Sequence, residues 1–223
     1  MKEPFFKPYI GEGFRNPENN IFGGLKILAL GHNHYCYELL KAKKLDSNAE
    51  CGTQCTGYTE SCHELTSMVV KQFIEYCLGN GEFSAFMNTY SKFANALTNY
   101  AFDRDTVWDN IAFYNYCQSA VSHDAELPGQ DNYTNSQEAF IEVLKTLKPH
   151  VVICWSRELV YMNTPSNNWT APDNGNPGYY TIDGDKIPMF AIHHPSWKGF
   201  SPTLENNDIK INLYNIDLSE DKQ

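Results

Sequence analysis

Residues 136–155 restrict the fold more than any other stretch, because a helix there runs into a strand with almost no connecting chain. Asn135 reads as an N-cap that accepts from first-turn N–H groups, and Glu138 completes a box-like cap three residues on. Phe140, Val143, Leu144 and Leu147 recur at helical spacing and predict a helix over 136–147 with one buried stripe. Pro149 ends it, and Val151-Val152-Ile153-Cys154-Trp155 starts a strand at once. Segments 26–30, 111–116 and 188–193 have the same strand character. Those at 26–30 and 151–155 are continuous runs rather than alternating ones, which suits strands covered on both faces. Between strands, Leu65, Met68, Val69 and Phe73 follow helical spacing, as do Phe86, Tyr90, Phe93 and Leu97. Strands alternating with helices imply an α/β domain with a parallel sheet and right-handed crossovers.

The chain of 223 residues is long enough for one well-buried core, so a single domain over 1–223 is expected. Residues 1–24 read as an extended N-terminal segment and 214–223 as a frayed tail. The stretch 165–184, rich in Asn, Pro and Gly, reads as a long irregular excursion. No apolar run approaches the ~20 residues that span a bilayer, so no membrane association is expected. Residues 1–8 have no apolar core or small-residue cleavage site, so no signal peptide is expected. The odd count of seven cysteines, several in apolar stretches, fits a reducing compartment and a cytoplasmic location. Cys51, Cys55, Cys62 and His63 form a constellation within reach of zinc, and Cys36, Cys51, Cys55 and Cys62 form a geometrically easier one, since Cys62 and His63 are strained as adjacent ligands. The expectation is free thiols, no tightly bound metal and no cofactor. With 17 basic against 27 acidic residues the net charge is −10, which disfavours a broad nucleic-acid surface and leaves room for a local basic groove.

Open parallel sheets bind ligands beyond the carboxyl ends of their strands. After the first strand comes Gly31-His32-Asn33-His34-Tyr35; the second ends in Asn115-Tyr116-Cys117-Gln118; Ser156-Arg157 follows the third; His194-Pro195-Ser196-Trp197-Lys198 follows the fourth. Histidines, amides and aromatics thus gather where this architecture places chemistry.

These loops give the chain a resemblance to the uracil-DNA glycosylase superfamily over roughly residues 25–200. Gly31-His32-Asn33-His34-Tyr35 resembles that superfamily's first motif, Gly-x-Asp/Asn-Pro-Tyr/Gly, and the Gly-Glu-Ser-His-Tyr version of uncharacterised bacterial relatives. His194-Pro195-Ser196 resembles its His-Pro-Ser motif, and Asn115 at a middle strand end fits its base-reading asparagine. The resemblance implies a three-layer α/β/α sandwich around a central, mainly parallel four-stranded sheet. It also implies hydrolysis of the N-glycosidic bond of uracil or another altered base in DNA, or binding of a related nucleobase-containing ligand. Asn33 would hold the water, His194 would stabilise the leaving base, and Asn115 would read the base edge. Tyr35 would wall the pocket and Ser196 would contact a phosphate. Apart from the resemblance, Trp197, Lys198 and Phe200 read either as a wedge into a duplex that also touches phosphate or as an exposed loop with one packed aromatic.

An amide orients water but cannot take its proton at neutral pH, so His32 or His34 is the alternative base. A different class of function stays open: a non-catalytic module that keeps the pocket and binds a nucleotide or a protein. An α/β protein with no nucleobase ligand at all is a third possibility.

Overall fold

A computed structural model of the protein describes residues 3–36, 59–121, 130–162, 168–173 and 177–216. Among them, seven strands form one mixed sheet and the chain is α/β. Its centre is four parallel strands: β2 (Ile27–Gly31), β4 (Ala112–Asn115), β6 (Val151–Cys154) and β9 (Asp185–Ala191). They lie in the order β4-β2-β6-β9, so each of the four apolar segments read from the sequence supplies one. Every residue of β2, β4 and β6 is buried, which is why these segments are apolar throughout. Along β2, Ile27 and Ala29 enter one apolar cluster while Leu28 and Leu30 enter another. The first cluster takes in α2 (Leu65–Cys77), α3 (Met87–Thr98), α4 (Arg104–Asp109) and α7 (Pro202–Tyr214); the second takes in α5 (Gln130–Leu147) and α6 (Arg157–Met162).

The sheet has seven strands and not the expected four. β1 (Tyr9–Ile10) pairs antiparallel with β4 at one edge, and the antiparallel strands β8 (Gly178–Ile182) and β7 (Trp169–Thr170) extend the other. Part of what reads as an irregular excursion, Trp169–Thr170 and Gly178–Ile182, is therefore sheet. Asp183 and Gly184 close the β8–β9 hairpin at φ 53° and 100°, the left-handed backbone that a two-residue turn of this kind demands. The N-terminal segment is likewise more than extended chain: after β1 comes the helical turn α1 (Glu12–Arg15), and Phe6, Tyr9 and Phe14 are buried. Gln118 fastens this arm to the sheet, its Oε1 accepting from the N–H of Phe5 at 2.6 Å and its Nε2 donating to the Tyr114 hydroxyl at 2.6 Å.

Helix starts and faces also differ from the reading. α5 begins at Gln130, so Asn135 is an exposed interior position and not a cap, while Phe140, Val143, Leu144 and Leu147 are buried as the stripe requires. In α2 the buried residues are Thr66, Val70 and Phe73, and Met68 is outside the stripe and exposed. α7 was not foreseen; it runs to Tyr214, and Ile216 packs against the core, so any free tail begins later than residue 214.

Candidate functional site

Parallel strands finish on one side of the sheet, and the register places Gly31 beside Asn115, Leu30 beside Cys154, and Cys154 beside Ala191. The ladder continues past the strand ends. Tyr116 N–H donates to Gly31 O at 3.1 Å, Cys117 N–H to His32 O at 2.9 Å, Trp155 N–H to Leu30 O at 2.9 Å and Ile192 N–H to Cys154 O at 2.9 Å. The loops after Gly31, Asn115, Cys154 and Ala191 therefore leave the sheet together.

Asn115 is buried, and its Nδ2 donates to His34 Nδ1 at 3.1 Å. His34 is buried too, with Nε2 3.1 Å from the Thr66 hydroxyl and its ring 4.0 Å from that of Phe6. Gly31 makes room for this arrangement: a β-carbon there would collide with Asn115 Oδ1 and lie 3.0 Å from the Phe113 ring. The sequence reading offered His34 as a ligand-binding or basic group. Its burial and its two partners make it a support for Asn115 instead.

His194 is held from below. Its Nδ1 accepts from the Ser196 N–H at 3.2 Å, with the Ser196 hydroxyl at 2.7 Å from the same nitrogen. A backbone N–H can only donate, so Nδ1 is the acceptor and Nε2 carries the proton of the neutral ring. Burial holds the His194 pKa below its ordinary value, which keeps that neutral form in place at pH 7. Trp155, itself buried, stands edge-on to the ring at 5.9 Å, and its indole Nε1 is buried with no partner among the described residues. Ser196, expected to touch phosphate, thus spends its hydroxyl on orienting His194.

His32 reaches the Tyr133 hydroxyl through Nε2 at 2.5 Å, and a charge on His194 would oppose one on His32, so the two rings are electrostatic neighbours. Asn33 lies between His32 and the buried His34, and its side-chain Nδ2 is buried without a hydrogen-bond partner among the described residues. Such a donor is costly to leave unmade, and an acceptor atom of water or ligand is the natural remedy. Tyr35 is half exposed on the two-residue strand β3 (His34–Tyr35), which pairs parallel with β5 (Ala120–Val121) outside the main sheet. Lys198 is exposed. Trp197 is not a free wedge, because its ring stacks on His193 at 4.6 Å and lies over Gly199.

Three supports were missed from the sequence. Thr66 holds His34 from α2; Tyr133 holds His32 from α5; Glu205 of α7 is buried with Oε1 2.7 Å from His193 Nδ1. Each is remote in sequence from its histidine, and a lone Thr, Tyr or Glu inside a helix carries no local signal.

The buried histidines predict a pH dependence. Burial pushes His34 down to about 3 and, with the neighbouring His194, pushes His32 down to about 4. In the unfolded chain each titrates near 6.5. Below that pH the unfolded state binds protons that the folded state refuses, so stability falls as pH drops from about 6.5 toward the folded values. The expected loss is on the order of 1.4 kcal/mol per pH unit for each ring. Urea unfolding at pH 7, 6 and 5 measures it, and equal midpoints at pH 7 and 5 would contradict the burial of both.

Cys51 and Cys55 lie outside the described residues, so the geometry of the four-cysteine set is not part of this site. Cys36, Cys62, Cys77, Cys117 and Cys154 are free thiols, and among the described residues no three metal-binding side chains converge. No helix among them is long and apolar enough to cross a membrane. No protein-family model matches the sequence, and no curated protein matches it.

Proposed function

We propose that the strand-end cluster is a nucleobase site and that the protein hydrolyses the N-glycosidic bond of uracil or another altered base in DNA, within a three-layer glycosylase-like domain. The observation that carries the proposal is the fixed tautomer of His194. Two Ser196 groups occupy Nδ1, so Nε2–H is a preset donor on a ring close enough to His32 for the two charges to oppose each other.

Glycosidic cleavage leaves positive charge on the sugar and negative charge on the departing base. A neutral imidazole N–H, already oriented and partly dry, stabilises the developing oxyanion without reorganising. The unpartnered Asn33 Nδ2 supplies a second donor, for the attacking water or for a ligand oxygen. Neither amide accepts a proton, and His32 is a weak base when its pKa is about 4. The chemistry open to this site is therefore base departure first and water capture second, since a cationic sugar needs little help from a base. A duplex substrate must have its base flipped out to reach so enclosed a cluster.

The second reading, a nucleotide-binding module without catalysis, is favoured by the amide at position 33 and by the net charge of −10. Base release from single- and double-stranded oligonucleotides carrying uracil and other altered bases separates the two. The enzyme reading expects release by the wild type and faster release by Asn33→Asp, which adds a carboxylate for the water. No release by either protein, with a free nucleotide still bound, would establish the module.

A further inference from the structure

The loop 193–200 that carries His194 is tied down at both ends, by Phe200 buried in the core and by His193 bonded to Glu205 of α7. We infer that Glu205 is a positioning residue for His194, acting through His193 and Trp197. For its effect on rate the inference rests on the nucleobase reading, which it deepens by naming what aims the donor.

Glu205 is buried in the first turn of α7, where the aligned N–H groups favour a negative charge. Its Oε1 lies 2.7 Å from His193 Nδ1. A carboxylate can only accept, so Nδ1 carries the proton and donates. In His194 the same nitrogen accepts, from Ser196 N–H. The two adjacent rings are thus held with opposite polarity, one by a helix and the other by its own turn. The His193 ring is in turn the floor for Trp197. The indole stacks on it at 4.6 Å, 26° from parallel, and lies so close over Gly199 that a β-carbon there would collide with it. Trp197 N–H donates to His194 O at 2.8 Å. A His193 ring that turns therefore displaces Trp197, and Trp197 pulls on the backbone of His194.

A carboxylate is an unfavourable group merely to hold α7 against this loop, because Glu205 Oε2 is buried with no partner among the described residues. An apolar side chain of similar size often packs as well or better in such a place. What the carboxylate adds is direction, since it fixes which way the His193 ring faces. Removing it leaves behind a half-exposed imidazole that water can serve.

The test compares Glu205→Leu and Glu205→Gln with the wild type in the full chain. It measures the urea midpoint, deoxyuridine affinity, single-turnover release of uracil from a single-stranded oligonucleotide, and the ring-nitrogen NMR shifts of His194 in the free protein. Glu205→Leu is expected to keep its midpoint and affinity, to shift the His194 ring, and to lose up to about a hundredfold in rate, the effect of a misplacement of about 1 Å. Glu205→Gln keeps a hydrogen-bonding group facing His193 and is expected to retain most of the rate. Trp197→Ala breaks the same chain of contacts at an exposed residue, so it is expected to fold and to shift His194 in the same way. This variant decides the matter if Glu205→Leu does not fold. Unmoved His194 resonances in either variant, or a loss of rate matched by an equal fall in midpoint, would overturn the inference. A wild type that releases no base would overturn the nucleobase reading alone, because the His194 shifts still report the positioning.

Discussion

His194→Ala is expected to slow base release by about a hundredfold to a thousandfold, the usual effect of removing one preorganised donor to a developing oxyanion. The fold should survive, because the ring is only partly buried and its hydrogen bonds are to Ser196 in the same turn. Ser196→Ala is the instructive companion. It removes the hydroxyl contact but keeps the backbone N–H on Nδ1, so the tautomer persists and the loss should be much smaller than for His194→Ala. Single-turnover rates on a uracil-containing single strand measure both. Equal losses in the two variants would mean that Ser196 acts on the substrate directly, as the sequence reading had it.

Gly31→Ala is expected to cost about 1–3 kcal/mol of stability and to abolish nucleoside binding. The added methyl has nowhere to go: Asn115 Oδ1 blocks it, and the Phe113 ring lies 3.0 Å away. Phe113 is wedged among Tyr90, Trp108 and Trp155 and cannot retreat, so Asn115 must move and give up His34. Denaturant midpoints together with deoxyuridine binding report the two effects. A variant with native stability and native binding would show that the close packing of Gly31 and Asn115 is not needed.

Three of the four parallel strands, β2, β4 and β6, were legible because each is buried on both faces and therefore apolar at nearly every position, whereas β9 was legible from its apolar second half alone. Their ends were legible too, and with them the positions of Asn33, Asn115 and His194 at or just after those ends. The β8–β9 hairpin carried its own signal in Asp183-Gly184 between β-rich segments, and the surrounding Asn and Pro residues masked it. The start of α5 was misplaced because Asn135 has cap chemistry at a position where the helix is already formed. What holds each histidine was not legible. His32, His34 and His194 are chemically alike in the sequence, and their roles are set by Tyr133, Thr66 and Ser196, of which only Ser196 is near its partner in the chain.

The claim underlying all of this is that Asn33, Asn115 and His194 face one ligand. Side-chain NMR during titration with deoxyuridine tests it most directly, through the two asparagine amides and the His194 ring. The predicted result is that all three respond together and saturate at one nucleoside concentration. Saturable binding that leaves all three unchanged would place the ligand elsewhere on the protein and contradict the site.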